Sequence, residues 1–169
     1  MRKLLCILLC TTLLIIFDSG CTPREKPSGI FDYTRYAADF ALVFPSEAGD
    51  VECRVSRNEE CIYLTVVKPE RSAYLSVELK DGNCVVHSSE TVIPLSAEAA
   101  RGFTAIFDLL YRGDNGVRSV KKSSDGLETV ITYDDGSVVL GEDRLPVAVI
   151  SPGMNGEMRT VRIMGYSYE

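Results

Sequence analysis

Cys84 and His87 stand three residues apart, and His87 is the only histidine in the chain. A thiolate beside an imidazole could hold a soft metal ion or serve as an activated nucleophile. The stretch Asn83-Cys84-Val85-Val86-His87 reads as a strand, however, and period-two geometry sends Cys84 to one face and His87 to the other. His87 is then an outward-facing strand residue. A zinc site takes about four N or S ligands, and strand register scatters Cys53, Cys61, Cys84 and His87. Asp134-Asp135-Gly136 lacks the spaced carboxylates of a calcium loop and reads as a turn. Ser88-Ser89 has no neighbouring His-Asp system, and Asp39, Glu52 and Glu78 lie on polar strand faces with no implied acid/base partner. The chain reads as non-catalytic, with no metal and no cofactor.

Cys21 carries a more definite chemistry. Arg2 and Lys3 precede an almost wholly apolar run of fourteen residues, Leu4 to Phe17. A spanning helix needs about 20 apolar residues and a signal-peptide core about 7–15, so the length favours an export signal. Ser19 and Gly20 then precede Cys21, and the segment resembles bacterial lipoprotein signals, although Asp18 stands where these usually carry an apolar residue. That resemblance implies cleavage after residue 20 and lipid attachment on the Cys21 thiol. Residues 1–20 are the signal peptide, 21–35 a lipidated tether and 36–169 a single domain. Several acyl chains at about 0.8 kcal/mol per buried methylene hold such a protein to a bilayer. The expected location is the extracytoplasmic face of the cell membrane. The alternatives are an ordinary secretory signal cut nearby and an uncleaved stub.

Without residues 1–20 the chain keeps 16 basic and 23 acidic side chains, a net charge near −7. Nucleic-acid binding rests on neutralising phosphates, so that partner class is excluded. Arg118, Lys121 and Lys122 form the one basic cluster and read as solvated.

The elements that must position any site are mostly strands. Phe40, Leu42 and Phe44 alternate with polar or small residues, as do Val51, Cys53 and Val55; Ile62, Leu64 and Val66; Leu75, Val77 and Leu79; and Cys84 and Val86. Asp81-Gly82 is a two-residue hairpin signal that pairs Leu79 with Cys84. A turn centred on Glu70-Arg71 pairs Leu64 with Val77, and one centred on Asn58-Glu59 pairs Val55 with Ile62 and Cys53 with Leu64. All these registers put the apolar sets on one face, and a slip by one residue would split them. The result is a five-stranded meander over about 37–88. Cys53 and Cys84 share its buried face but lie three strand spacings apart, roughly 14 Å. A disulfide needs Cα atoms within about 7 Å. Cys61 is expected on the opposite face, so all three thiols are expected free, Cys53 and Cys84 buried.

A helix follows over 96–112, with Ser96 as N-cap and Gly113 as stop. Phe103, Ile106, Phe107 and Leu110 form its apolar stripe. Strands resume near 117–121, 127–133, 137–141, 146–151 and 158–166, with Asp135-Gly136 making a hairpin. The fold class is therefore α+β: a curved antiparallel sheet of about eight to ten strands, with one main helix packed on its concave face.

With its lipid-modified start, meander, helix after the fifth strand, and tail containing Gly141-Glu142-Asp143-Arg144-Leu145-Pro146-Val147, the chain resembles the lipoprotein-carrier (LolA/LolB-like) half-barrel family. It is most similar to the small membrane-anchored type of Gram-positive bacteria. The resemblance implies acyl chains held between helix and sheet, here by Leu42, Leu64, Val66, Leu75, Val77, Phe103, Ile106, Phe107 and Leu110. Two readings stay open: an anchored binder of lipid or another hydrophobic ligand, and an envelope protein-protein interaction module with a solid core. For the second, an exposed strand edge or Tyr133, Tyr166 and Tyr168 would meet the partner. A hydrolase of wall or lipid material is the remaining, least favoured class.

Overall fold

The structure, a computed structural model, describes residues 29–35, 39–58, 60–153 and 155–167. The signal segment, Cys21 and Tyr168 lie outside the described residues. Eleven strands follow in chain order: β1 (Asp39–Phe44), β2 (Val51–Arg57), β3 (Ile62–Lys68), β4 (Ser76–Lys80), β5 (Asn83–His87), β6 (Val92–Pro94), β7 (Ser119–Lys122), β8 (Thr129–Thr132), β9 (Ser137–Leu140), β10 (Pro146–Pro152) and β11 (Met158–Ser167). A single α-helix among the described residues, α1 (Ala97–Tyr111), falls between β6 and β7. The strands form one open antiparallel sheet in the order β6-β5-β4-β3-β2-β1-β11-β10-β9-β8-β7. This arrangement is consistent with a curved α+β half-barrel.

Two meanders, β1 to β6 and β7 to β11, are joined where the first strand pairs with the last, Leu42 opposite Ile163. The expected count of eight to ten strands is thus corrected to eleven. The extra strand, β6, is too short to show alternation, and it ends in Pro94. Proline donates no backbone hydrogen bond and is tolerated at a sheet edge, where β6 lies.

The registers explain the shared apolar face. Leu64 lies opposite Val77 and Leu79 opposite Cys84, as the turn signals imply. Asp81 and Gly82 both take positive φ, 50° and 77°, the conformation that a two-residue Asp-Gly hairpin requires. The pairing of β2 with β3 is shifted by two residues from expectation: Val55 faces Leu64 and Cys53 faces Val66. The cause is local. The Asn58 side-chain oxygen accepts from the amides of Glu60 and Cys61, at 2.9 and 2.7 Å, which moves the turn one residue along. Moving a turn by one residue moves the register by two, so the apolar face is preserved.

Helix α1 begins where expected. Ser96 Oγ accepts from the Ala99 amide at 3.3 Å, and Gly113, at φ 67°, follows the last turn. The helix touches β10, β9 and β5, strands from both meanders. Its buried residues Ile106, Phe107, Leu109 and Leu110 share one hydrophobic cluster with Leu42, Leu64, Val77, Val138, Val149 and Val161 of the sheet. Tyr33, in a 3-10 turn over Asp32–Arg35, is also buried in that cluster, so the packed body reaches into the stretch expected to be tether.

Gly136 shows how tightly helix and sheet meet. The hairpin loop centres on Asp134-Asp135 instead of Asp135-Gly136, because Thr132 faces Ser137 and the Tyr133 amide donates to Gly136 O at 2.8 Å. A Cβ at position 136 would lie 2.4 Å from Ile150 O and 2.6 Å from Leu109 Cδ1. The glycine is needed there for close approach, not for turning.

Candidate functional site

The nine residues expected to line an apolar site divide by depth. Leu42, Leu64, Val77, Ile106, Phe107 and Leu110 are buried in the shared core cluster, while Val66 and Phe103 are half-buried against it. Leu75 is also half-buried. The buried six occupy the middle of the sheet and the C-terminal half of the stripe, where side chains already contact one another. The other three lie where packing thins.

That thinner region is one end of the sheet, where β1 and β3 finish and β2, β4 and β11 begin. A cleft of about 600 Å³ opens there, lined by the apolar Ala48, Val51, Val66, Pro69 and Leu75, with Lys68, Arg71 and Asp50 among its polar residues. The loop between β1 and β2 and the 3-10 turn Glu70–Ser72 between β3 and β4 form its walls. Lys68 Nζ pairs with Glu52 at 2.8 Å, and Arg162 pairs with Asp50, so two of its charged groups are held in surface ion pairs. The apolar surface continues towards the helix. Val51 is the register partner of Phe44, and the Phe44 ring meets Phe103 edge-on, with centroids 6.3 Å apart.

Arg159 closes this end of the core. Its guanidinium carbon lies 5.2 Å from the Phe44 ring centre, and its Nη2 donates to Gly102 O of α1 at 2.7 Å. Burial lowers its pKa from the ordinary arginine value. The sequence reading missed this residue, although a signal was present. Arg159 has the same strand parity as the buried Val161 and Ile163, so an arginine stands in an inward phase.

The opposite end is polar. A second cleft, of about 410 Å³, is lined by Arg57, Glu60, Cys61, Lys80 and Asp108 together with Ile62, Leu79 and Phe107. Arg57 stacks over Tyr111 at 4.1 Å. Arg112 grips Asp135 with two hydrogen bonds of 2.6 and 2.7 Å, tying the end of α1 to the β8–β9 hairpin.

The other sequence candidates resolve as follows. Cys53, Cys61 and Cys84 are free thiols, and all three are buried, including Cys61, which was expected on the open face. Cys61 sits in the shifted β2–β3 turn, where Tyr63 Oη lies 3.4 Å from its sulfur. His87 is half-buried, and its Nε2 is 3.1 Å from Glu78 Oε2, a hydrogen-bond partner that the sequence reading did not supply. Among the described residues no three His, Cys, Asp or Glu side chains gather in a metal-binding group. Tyr133 is buried with its hydroxyl donating to Gly113 O at 2.6 Å, and Tyr166 donates to Pro146 O. Both serve the fold and are not free contact residues. Among the described residues no helix is long and apolar enough to cross a membrane.

No protein-family model and no curated protein matches the chain. Solved structures resemble it at low identity. One is an uncharacterised conserved protein from Thermus thermophilus, with TM-score 0.47 and 9% identity, covering 83% of each chain. Another is a LolA superfamily protein from Nitrosomonas europaea, with TM-score 0.42 and 11% identity, covering 78% of this chain and 74% of the other.

Proposed function

We propose that this chain is a non-catalytic lipoprotein, anchored through Cys21 to the extracytoplasmic face of the membrane, which holds a hydrophobic ligand between α1 and the concave face of the sheet. The observation that carries the reading is the open apolar end: a cleft of about 600 Å³ whose walls include Val66 and Leu75 and whose apolar surface runs on through Val51 and Phe44 to Phe103. Ligand sites are concave, mostly apolar spaces of about 300–1,000 Å³ with a few polar groups at their edge, and this end has that character. Its half-buried side chains would gain contacts when a chain-like ligand enters, whereas the buried middle of the sheet has little left to gain.

Organic extraction of the protein purified from membranes, followed by mass spectrometry, is the test. Wild type should carry lipid, and Leu75→Asp should carry several-fold less while remaining folded. Equal or absent lipid in both would end the ligand reading. The anchor has its own test: Cys21→Ala should release the protein from membranes or leave the precursor uncut. Processing of wild type that ignores a lipoprotein signal-peptidase inhibitor would refute it.

A second reading, an envelope interaction module, is favoured by the β6 edge, where Val92 and Ile93 are 61% and 50% exposed. An open apolar edge can accept a partner strand.

A further inference from the structure

Two buried polar groups on the inner face have no acceptor among the described residues. Ser151, on β10, is fully buried, and its hydroxyl has no hydrogen-bond partner. Arg159 lies directly opposite it on β11, and its Nε is buried without a partner too. Residues paired across antiparallel strands have Cβ atoms about 4.5–5.5 Å apart on one face, so the two donors lie side by side. Buried donors left unsatisfied are costly, and buried charges are normally paired.

Lys68, Lys80, Arg112, Arg118 and Arg162 each pair with a carboxylate. Arg159 forms no such pair among the described residues; its contacts are a backbone oxygen and an aromatic face. The acid lining the adjoining cleft, Glu157, is engaged by Asn155 Nδ2 at 2.7 Å. That cleft, about 440 Å³ and lined by Gly153, Asn155, Glu157, Met158 and Arg159, gives Arg159 a route to solvent. Phe44 links Arg159 to the apolar end described above.

We infer that Arg159 and Ser151 form an anion-binding head site, so that the ligand is an acidic amphiphile whose carboxylate or phosphate meets these donors while its hydrocarbon tail lies against Phe44 and Phe103. This rests on the proposed hydrophobic-ligand reading and adds the charge of the ligand. An anionic oxygen pair would satisfy Arg159 Nε and the Ser151 hydroxyl at once. Burial lowers the arginine pKa and no neighbouring acid offsets it, which agrees with a site that lacks its counter-charge.

The test titrates the full chain, held in zwitterionic nanodiscs with empty nanodiscs as blank, with oleate, methyl oleate or inorganic phosphate. Wild type should bind oleate at least about tenfold more tightly than methyl oleate, as charge-assisted hydrogen bonds imply. Arg159→Gln should abolish the wild-type preference for oleate over methyl oleate, the ratio of the two affinities within the variant being the readout. Ser151→Ala, which removes one hydroxyl, should weaken oleate by about threefold and guards against misfolding of the arginine variant. Equal binding of oleate and methyl oleate by wild type would overturn the head site while leaving the hydrophobic-ligand reading intact. Phosphate binding as tight as oleate would overturn the amphiphile class. Failure of both lipids to bind would defeat the proposed function itself.

Discussion

At the scale of single residues, burial governs the chemistry of the thiols. Cys53 lies on the inner face, and burial, then the Glu52 charge, pushes its pKa from 9.0 up to about 11. Burial raises Cys84 as well. The thiolate is the reactive form, so at pH 8 Cys53 would be ionised at only about one part in a thousand. Native protein should therefore take up iodoacetamide at Cys53 and Cys84 very slowly, and denatured, unreduced protein should react at Cys53, Cys61 and Cys84 alike. Intact mass reads both. A bridged pair would contradict the register. The same shift sets a pH dependence. A thiol whose pKa is raised on folding contributes stability that is full below its unfolded pKa, near 9, and is lost as pH rises through about 11. Tyr111 is shifted in the same direction by burial, against the lowering influence of Arg57. The denaturation midpoint should fall between pH 9 and pH 11, and Cys53→Ala should flatten part of that fall.

At the scale of elements, the apolar stripe of α1 changes in burial along its length. Phe107 is 4% exposed within the core cluster, so Phe107→Ala should cost about 3–5 kcal/mol by removing contacts and leaving a cavity. Phe103 is half-buried and touches Phe44 at the open end. Phe103→Ala should cost clearly less stability and instead lower the lipid recovered with the protein. Thermal or urea unfolding of the two variants separates the roles, and equal losses would mean that the stripe is core throughout. The β8–β9 hairpin offers a second element-scale test. Gly136→Ala would drive a methyl group into Ile150 O and the Leu109 side chain. Overpacking of this kind costs about 1–3 kcal/mol, visible as a lower unfolding midpoint.

For the whole molecule, the pairing of β1 with β11 decides cooperativity. Each meander contributes to one cluster that α1 also enters, so neither half has a separate core. Unfolding should be a single transition. Hydrogen exchange should be slowest in β1, β2, β10 and β11 at the centre of the sheet and fastest in the edge strands β6 and β7. β7 has mostly exposed side chains, including Val120, and β6 exposes Val92 and Ile93. Two well-separated transitions, or edge strands as protected as the centre, would show that the halves fold independently.

The sequence by itself determined the local elements, because period-two and helical alternation, the Ser96 cap and the Asp81-Gly82 turn each act over a few residues. It also made the apolar face common to the meander, since even-numbered shifts such as the one at Asn58 leave that face unchanged. Val66, Leu75 and Phe103 were legible as apolar residues but not as the half-buried end of the helix–sheet packing. Periodicity reports which way a side chain points, not how much atomic density lies beyond it. The junction of β1 with β11 joins segments more than a hundred residues apart, and no turn signal spans that distance. Only that junction sets the two meanders side by side as one sheet. Only the packing of α1 against both meanders placed Arg159 beside Phe44 and Gly102, where a charged strand residue became a half-buried donor with no counter-charge among the described residues.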